Sequence, residues 1–235
     1  MPLNFFITGM PKCGKTTLLR KIVSEFKAKG LKVGGIVSPE ERHHGVRRGF
    51  FVMDVATGRI GTLAEADGDG PKVSKYHVDV KSFEDIAIPA LRDFQSCDVV
   101  VIDEIGWMEL KSGKFADAVD EILESGTPLI ASLHTGLVGR YGAYGQVMEL
   151  TDINHEQIYD DLHEKVMAIA KRKPAPAARK AKPAPVKKAE MKKPVAPPAA
   201  RKAKPAPVKK APAGKKPAKG KNKSLVNHIR VLFGR

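Results

Sequence analysis

Residues 9 to 16, GMPKCGKT, carry two glycines five positions apart, with Lys15 and Thr16 directly after the second. That spacing suits a loop that wraps phosphate. Gly9 and Gly14 let successive backbone amides turn toward one anion, and a helix opening at the second glycine adds its N-terminal field. Lys15 is placed to reach β- and γ-phosphate oxygens, and the Thr16 hydroxyl to ligate Mg²⁺. Met10, Pro11, Lys12, Cys13 and Thr17 complete the cradle.

A second group lies in VVVIDEIGWMEL, residues 99 to 110. The apolar run closes at Ile102 and delivers Asp103, a carboxylate that can hold the metal through water, to the carboxyl edge of a sheet beside the phosphate-loop strand. Glu104 follows at once. A carboxylate in that position can accept a proton from water aligned on the γ-phosphate, which favours hydrolysis over transfer to a bulkier acceptor.

Further candidates surround these two groups. IASLHTG ends a strand in Ser132, His134 and Thr135, of which His134 is the best donor toward a γ-phosphate. ERHHGVRRGF offers Arg42, Arg47 and Arg48, and Arg48 is the candidate for a transition-state arginine supplied in cis. His43 and His44 have no third ligand at metal-binding spacing, so no zinc site is assigned. Arg140 and the tyrosines of GRYGAYGQ are candidates for contact with a base or ribose.

The elements that would position these side chains are legible from periodicity. Leu3 to Thr8 reads as a strand. Leu18, Leu19, Ile22, Val23 and Phe26 recur at helical spacing, with Gly30 as the stop. LKVGGIVS is a strand, the stretch from Gly49 to Ala66 a hairpin turning at ATGR, and YHVDV a short strand. Phe83, Ala87, Leu91 and Phe94 mark a helix that Pro89 either starts or kinks. DVVVID and PLIASLHT read as strands buried on both faces, QVMEL as a last strand, and a final helix opens at Asn154 with Gln157 completing a capping box. Alternating strands and helices predict an α/β fold, a three-layer sandwich with a mostly parallel sheet.

Charge divides the chain in two. Residues 1–170 hold 19 Lys and Arg against 25 Asp and Glu, a net −6; residues 171–235 hold 22 basic residues against Glu190 alone, a net +21. Eleven of the 17 prolines fall in the second part, and residues 176–189 recur letter for letter at 198–211. A segment of Lys, Ala and Pro cannot offset its ordering entropy by burial, so disorder is expected from 171 onward. Its charge suits non-specific DNA or RNA binding by counterion release, with an anionic membrane surface or a plain solubilising linker as the competing readings. SLVNHIRVLFGR, at the end, reads as a frayed terminus or a short basic amphipathic helix. Two cysteines give no disulfide framework, and neither a secretory leader nor an apolar run of membrane-spanning length is seen. These features point to a cytoplasmic protein, with nucleoid association as the variant that the tail suggests.

ITGMPKCGKTTL, RRGFFVMDVATG and VVVIDEIGWMEL, in that order, resemble the small P-loop nucleoside-triphosphatases of archaea, bacteria and animals, known in vertebrates as cancer-related nucleoside-triphosphatase. The resemblance covers roughly residues 3–168. It implies a single domain that hydrolyses ATP, GTP and other nucleoside triphosphates with Mg²⁺ and little base preference. Gly9, Gly14, Lys15 and Thr16 match that family's phosphate loop, and Asp103 and Glu104 match its acidic pair, the Asp-Glu form of the Walker B motif. Two positions depart: Lys12 stands where the family usually has Gly, and Trp107 where it usually has Lys. A nucleotide or small-molecule kinase, and a nucleic-acid-binding protein with a slow nucleotide switch, are the alternative functions.

Overall fold

A computed structural model describes residues 3–43 and 46–172 of the 235-residue chain. The basic segment with its 14-residue repeat lies outside the described residues, as does His44. The first strand, β1 (Asn4–Thr8), leads through the glycine loop into α1 (Lys15–Ala28) and β2 (Val33–Val37). The chain then runs back and forth through β3 (Glu40–His43), β4 (Val46–Asp54), β5 (Ile60–Glu65), β6 (Lys72–Val73) and β7 (Tyr76–Val78). The second half alternates as α2 (Val80–Arg92), β8 (Val99–Ile105), α3 (Gly113–Leu123), β9 (Leu129–Leu133), α4 (Val138–Tyr141), β10 (Gln146–Glu149) and α5 (His155–Arg172).

All ten strands join one sheet in the order β10-β1-β9-β8-β2-β4-β5-β7-β6, with β3 added to β4. The five strands from β10 to β2 are parallel, and the remainder antiparallel. Alternation along the buried strands feeds two cores. Phe5, Ile7, Val99 and Val101 face α1 and α5 with Leu19, Phe26 and Leu162; Phe6, Val100 and Ile102 face α2 and α3 with Phe83, Leu91 and Phe115. A sheet covered on both faces is the three-layer sandwich expected from the sequence. Antiparallel β4 meets β2 only at Ile36 and Val37, so the β3–β4 hairpin continues past the carboxyl edge of the parallel strands.

Local chemistry explains the element boundaries. Gly30 ends α1 at φ 81°, a conformation that glycine adopts without steric penalty. The ATGR turn between β4 and β5 is built by Asp54, whose carboxylate accepts from the Ala56 and Thr57 amides, with Gly58 at φ 71°. Pro89 neither starts nor stops its helix: α2 begins at Val80, where Asp79 accepts from the Ser82 amide at 2.9 Å, and Pro89 lies within the last turns. Phe94 falls in a separate 3-10 turn. The last helix opens at Asn154 as expected, the Asn154 carbonyl accepting from the Ile158 amide. The Asn154 side chain does not complete the capping box: it accepts from the Thr151 amide and donates to the Glu149 carbonyl, fastening the preceding loop. The last helix also extends two residues past 170.

Candidate active site

The phosphate loop occupies the turn from β1 to α1. Its backbone needs positive φ at three places: Gly9 (142°), Lys12 (71°) and Gly14 (94°). A β-carbon on Gly9 would lie 2.4 Å from the Leu150 carbonyl oxygen, so that position is closed to any side chain. Lys12 carries a side chain through the left-handed region, which glycine would occupy without that strain. Gly14 caps α1 without a side-chain hydrogen bond, and no acidic residue occupies the first turn. The first amides of the helix are thereby left to an external acceptor. Lys15 Nζ donates to the carbonyls of Gly9 (2.9 Å) and Met10 (3.2 Å), which places the ammonium inside the curve of the loop. Buried Cys13 packs behind it.

The acidic pair ends β8. The strand order corrects one expectation: β8 is not next to β1, because β9 lies between them. The interposed strand contributes chemistry of its own. Ser132 is fully buried and donates its hydroxyl to Asp103 Oδ1 at 2.6 Å. Asp103 Oδ2 is also buried and has no hydrogen bond of ordinary length. Burial pushes the Asp103 carboxyl up from its usual range, while Ser132, the Thr16 hydroxyl, and the charges of Lys15 and Arg20 pull it back. The structure thus brings Thr16, Lys15 and Asp103 together from two sides of β9.

Glu104 is pushed up to about 7, first by burial and then by the neighbouring Asp103 charge, with Lys15 acting against both. A third carboxylate that the sequence reading missed stands beside it. Glu109 is buried at 5% exposure, and a β-carbon on Gly106 would lie 2.8 Å from Glu109 Oε2 and 3.1 Å from Glu104 Oε1. Burial and the Glu104 charge raise Glu109 to about 8, against the pull of the Glu109 and Gly106 backbone amides. In WMEL nothing distinguishes Glu109 from a solvated loop glutamate, because its burial comes from the fold-back of residues 106–111.

His134 closes β9. Its Nδ1 accepts from the Gly136 amide at 3.1 Å, and its ring meets Trp107 edge-on at 5.9 Å between centroids. Its main-chain amide donates to the Ile105 carbonyl, which keeps it next to the acidic pair. With Nδ1 accepting, Nε2 carries the proton of the neutral ring and is a donor. Arg48 is not brought to the loop: it pairs with Asp67 at 3.8 Å on the antiparallel side of the sheet. Arg47 and Arg42 both pair with Glu40. Arg140 lies over the Tyr141 ring. Another residue that the sequence reading missed is His155, whose ring lies against Gly14 from the start of α5.

A parallel sheet with a glycine loop at the start of α1, and Asp-Glu two strands away, defines a P-loop nucleoside-triphosphatase-type domain. The family model described as NTPase matches residues 4–163. A nucleoside-triphosphatase THEP1 of Pyrococcus abyssi is 42% identical over 161 residues, covering 68% of this chain and 90% of the relative. Its counterpart from Methanocaldococcus jannaschii is 39% identical over 168 residues, covering 71% and 98%. The crystal structure of THEP1 from Aquifex aeolicus matches with a TM-score of 0.61 at 30% identity, over 69% of this chain and 98% of that one. The solution structure of a human cancer-related nucleoside triphosphatase matches with a TM-score of 0.60 at 32% identity, over 70% and 97%. The chain therefore belongs to this nucleoside-triphosphatase family. Among the described residues, no helix is long and apolar enough to cross a membrane.

Proposed function

We propose that the domain hydrolyses ATP, GTP and other nucleoside triphosphates to the diphosphate and phosphate in the presence of Mg²⁺. The observation that carries this is Glu104, half-buried at the carboxyl edge with its carboxyl at about 7, one residue beyond Asp103 and within the field of the Lys15 charge. A base whose pKa lies near the working pH combines the ionised form with real proton affinity.

The donor set fits the metal. Asp103 Oδ2 is buried and unengaged while Ser132 holds Oδ1, and the Thr16 hydroxyl lies close by; an all-oxygen set of this kind suits Mg²⁺. Bound there, the ion supplies charge neutralisation on the β- and γ-phosphates.

The chain's own groups have these roles. Amides of Gly9 to Thr17 cradle the phosphates, and Lys15 exchanges the Gly9 and Met10 carbonyls for phosphate oxygens. Glu104 takes a proton from water in line with the γ-phosphate, and His134 offers Nε2–H to the developing charge. Ile102 supports the acidic pair from the buried strand. A role in cis for Arg48 would require it to exchange Asp67 for phosphate.

For residues 171–235 the reading is non-specific contact with DNA or RNA, supported by 22 basic residues and a single acid. The cytoplasm, with some nucleoid association, is the location this composition fits. If ~6 phosphates are neutralised, the logarithm of the DNA affinity falls against the logarithm of salt with a slope of about −5.

The test is phosphate release from ATP, GTP and CTP by the full chain with Mg²⁺, with and without duplex DNA. Release from all three without DNA supports a hydrolase with a tethering tail. Release that requires DNA points to a nucleotide switch, and consumption of ATP that requires an acceptor points to a kinase.

A further inference from the structure

The strand order gives the carboxyl edge a direction. Asp103 and Glu104 lie two strands to one side of β1, and β10 lies directly on the other. A triphosphate held by residues 9–16 with its γ-phosphate toward Glu104 must send its α-phosphate and nucleoside the other way, toward β10. What the chain presents on that side is the segment from Leu150 to His155.

This segment is firmly held. The Leu150 amide donates to the Thr8 carbonyl at 2.8 Å. Asn154 accepts from the Thr151 amide at 2.8 Å and donates to the Glu149 carbonyl at 2.9 Å. At its end the His155 ring lies on the phosphate loop itself: a β-carbon on Gly14 would be 2.5 Å from His155 Cε1 and 3.3 Å from Nε2. Between these anchors Ile153 is 96% exposed, more than any other large apolar side chain among the described residues. A fastened loop that holds an isoleucine in water, one residue from an anchor and two from the ring that lies on the phosphate loop, gains free energy when a flat apolar surface covers it.

We propose that His155 and Ile153 form the nucleoside subsite. His155 meets the ribose from above Gly14, and Ile153 lies against the face of the base. This rests on the reading that the loop holds a nucleoside triphosphate. Every base has such a face, and an aliphatic side chain offers it neither donor nor acceptor, so this contact accepts purines and pyrimidines alike.

Equilibrium binding separates the nucleoside from the phosphates and does not depend on turnover. Calorimetry on the full chain with Mg²⁺ would compare ADP, GDP and CDP with inorganic pyrophosphate, for the wild type, His155→Ala and Ile153→Ser. Ile153→Ser replaces a side chain already in water, so misfolding cannot mimic its effect. The expected result is a loss of about fivefold or more in affinity for all three nucleotides, with pyrophosphate affinity unchanged. Equal losses for nucleotides and pyrophosphate, no loss with Ile153→Ser, or a loss confined to one base would overturn the proposal. Phosphate release from ATP by the same wild-type preparation reports on hydrolysis separately: its failure alone would sink the hydrolase reading and leave the subsite standing.

Discussion

The Ser132 hydroxyl donates to Asp103 Oδ1 at 2.6 Å across β9 and β8, with both side chains buried. The contact exists because β9 lies between the phosphate-loop strand and the acidic strand. It spends one carboxylate oxygen on structure and leaves buried Oδ2 without a protein partner among the described residues, which is how a buried carboxylate is kept for a cation.

Ser132→Ala should therefore act on the metal before it acts on chemistry. The metal concentration needed for half-maximal phosphate release should rise about 10- to 100-fold, with kcat at saturating Mg²⁺ largely kept. Metal titration of the hydrolysis rate checks this. An unchanged midpoint would mean that Ser132 is packing alone.

Lys12 at φ 71° predicts a stabilising substitution. A non-glycine residue in the left-handed region is strained by about 1 kcal/mol or more, part of which glycine returns as unfolded-chain entropy. Lys12→Gly should raise Tm by about 1–3 °C in thermal melts, whereas Lys12→Ala, which keeps the strain, should not.

Glu109 makes stability fall with pH. Its carboxyl titrates near 8 in the folded chain against 4.5 for the free group, so the folded state holds the extra proton between those values. Stability is fully present below about pH 4.5 and is lost as pH rises toward 8. Glu109→Gln keeps the size and removes the titration. Urea melts across that range should show the variant gaining on the wild type toward alkaline pH, by an amount on the order of a few kcal/mol at pH 8. Parallel curves would contradict the burial of Glu109 beside the Glu104 carboxylate.

Arg48 is exposed and paired with Asp67, so Arg48→Ala should change kcat by less than about fivefold, the rate equivalent of an exposed ion pair. A loss of about 10³ would instead show the β3–β4 hairpin delivering an arginine to the phosphates.

Much of this site could be read from the chain because its chemistry is local in sequence. The glycine spacing that makes the loop, the Lys15-Thr16 pair and the Asp103-Glu104 step each lie within one element boundary, where backbone geometry follows from residue type. The strand order does not follow in that way. Nothing in DVVVID or PLIASLHT says which lies next to β1, and the insertion of β9 turned Ser132 from one of three candidates into the partner of Asp103. Glu109 and His155 went unread for the same reason: each acts through a neighbour that only the fold supplies, Gly106 in one case and Gly14 in the other. Asn154 and Pro89 show local signals overridden. A loop claimed the Asn154 carboxamide before the helix could, and packing of Phe83 and Leu91 carried α2 through the proline.

The most direct test of the account is phosphate release by Glu104→Gln compared with the wild type, at matched nucleotide binding and saturating Mg²⁺. If Glu104 takes the proton from the attacking water, kcat should fall about 10²- to 10⁴-fold while ATP affinity stays within a small factor. Turnover that survives the substitution would contradict the assigned base, and with it the reading of this carboxyl edge as a hydrolytic site.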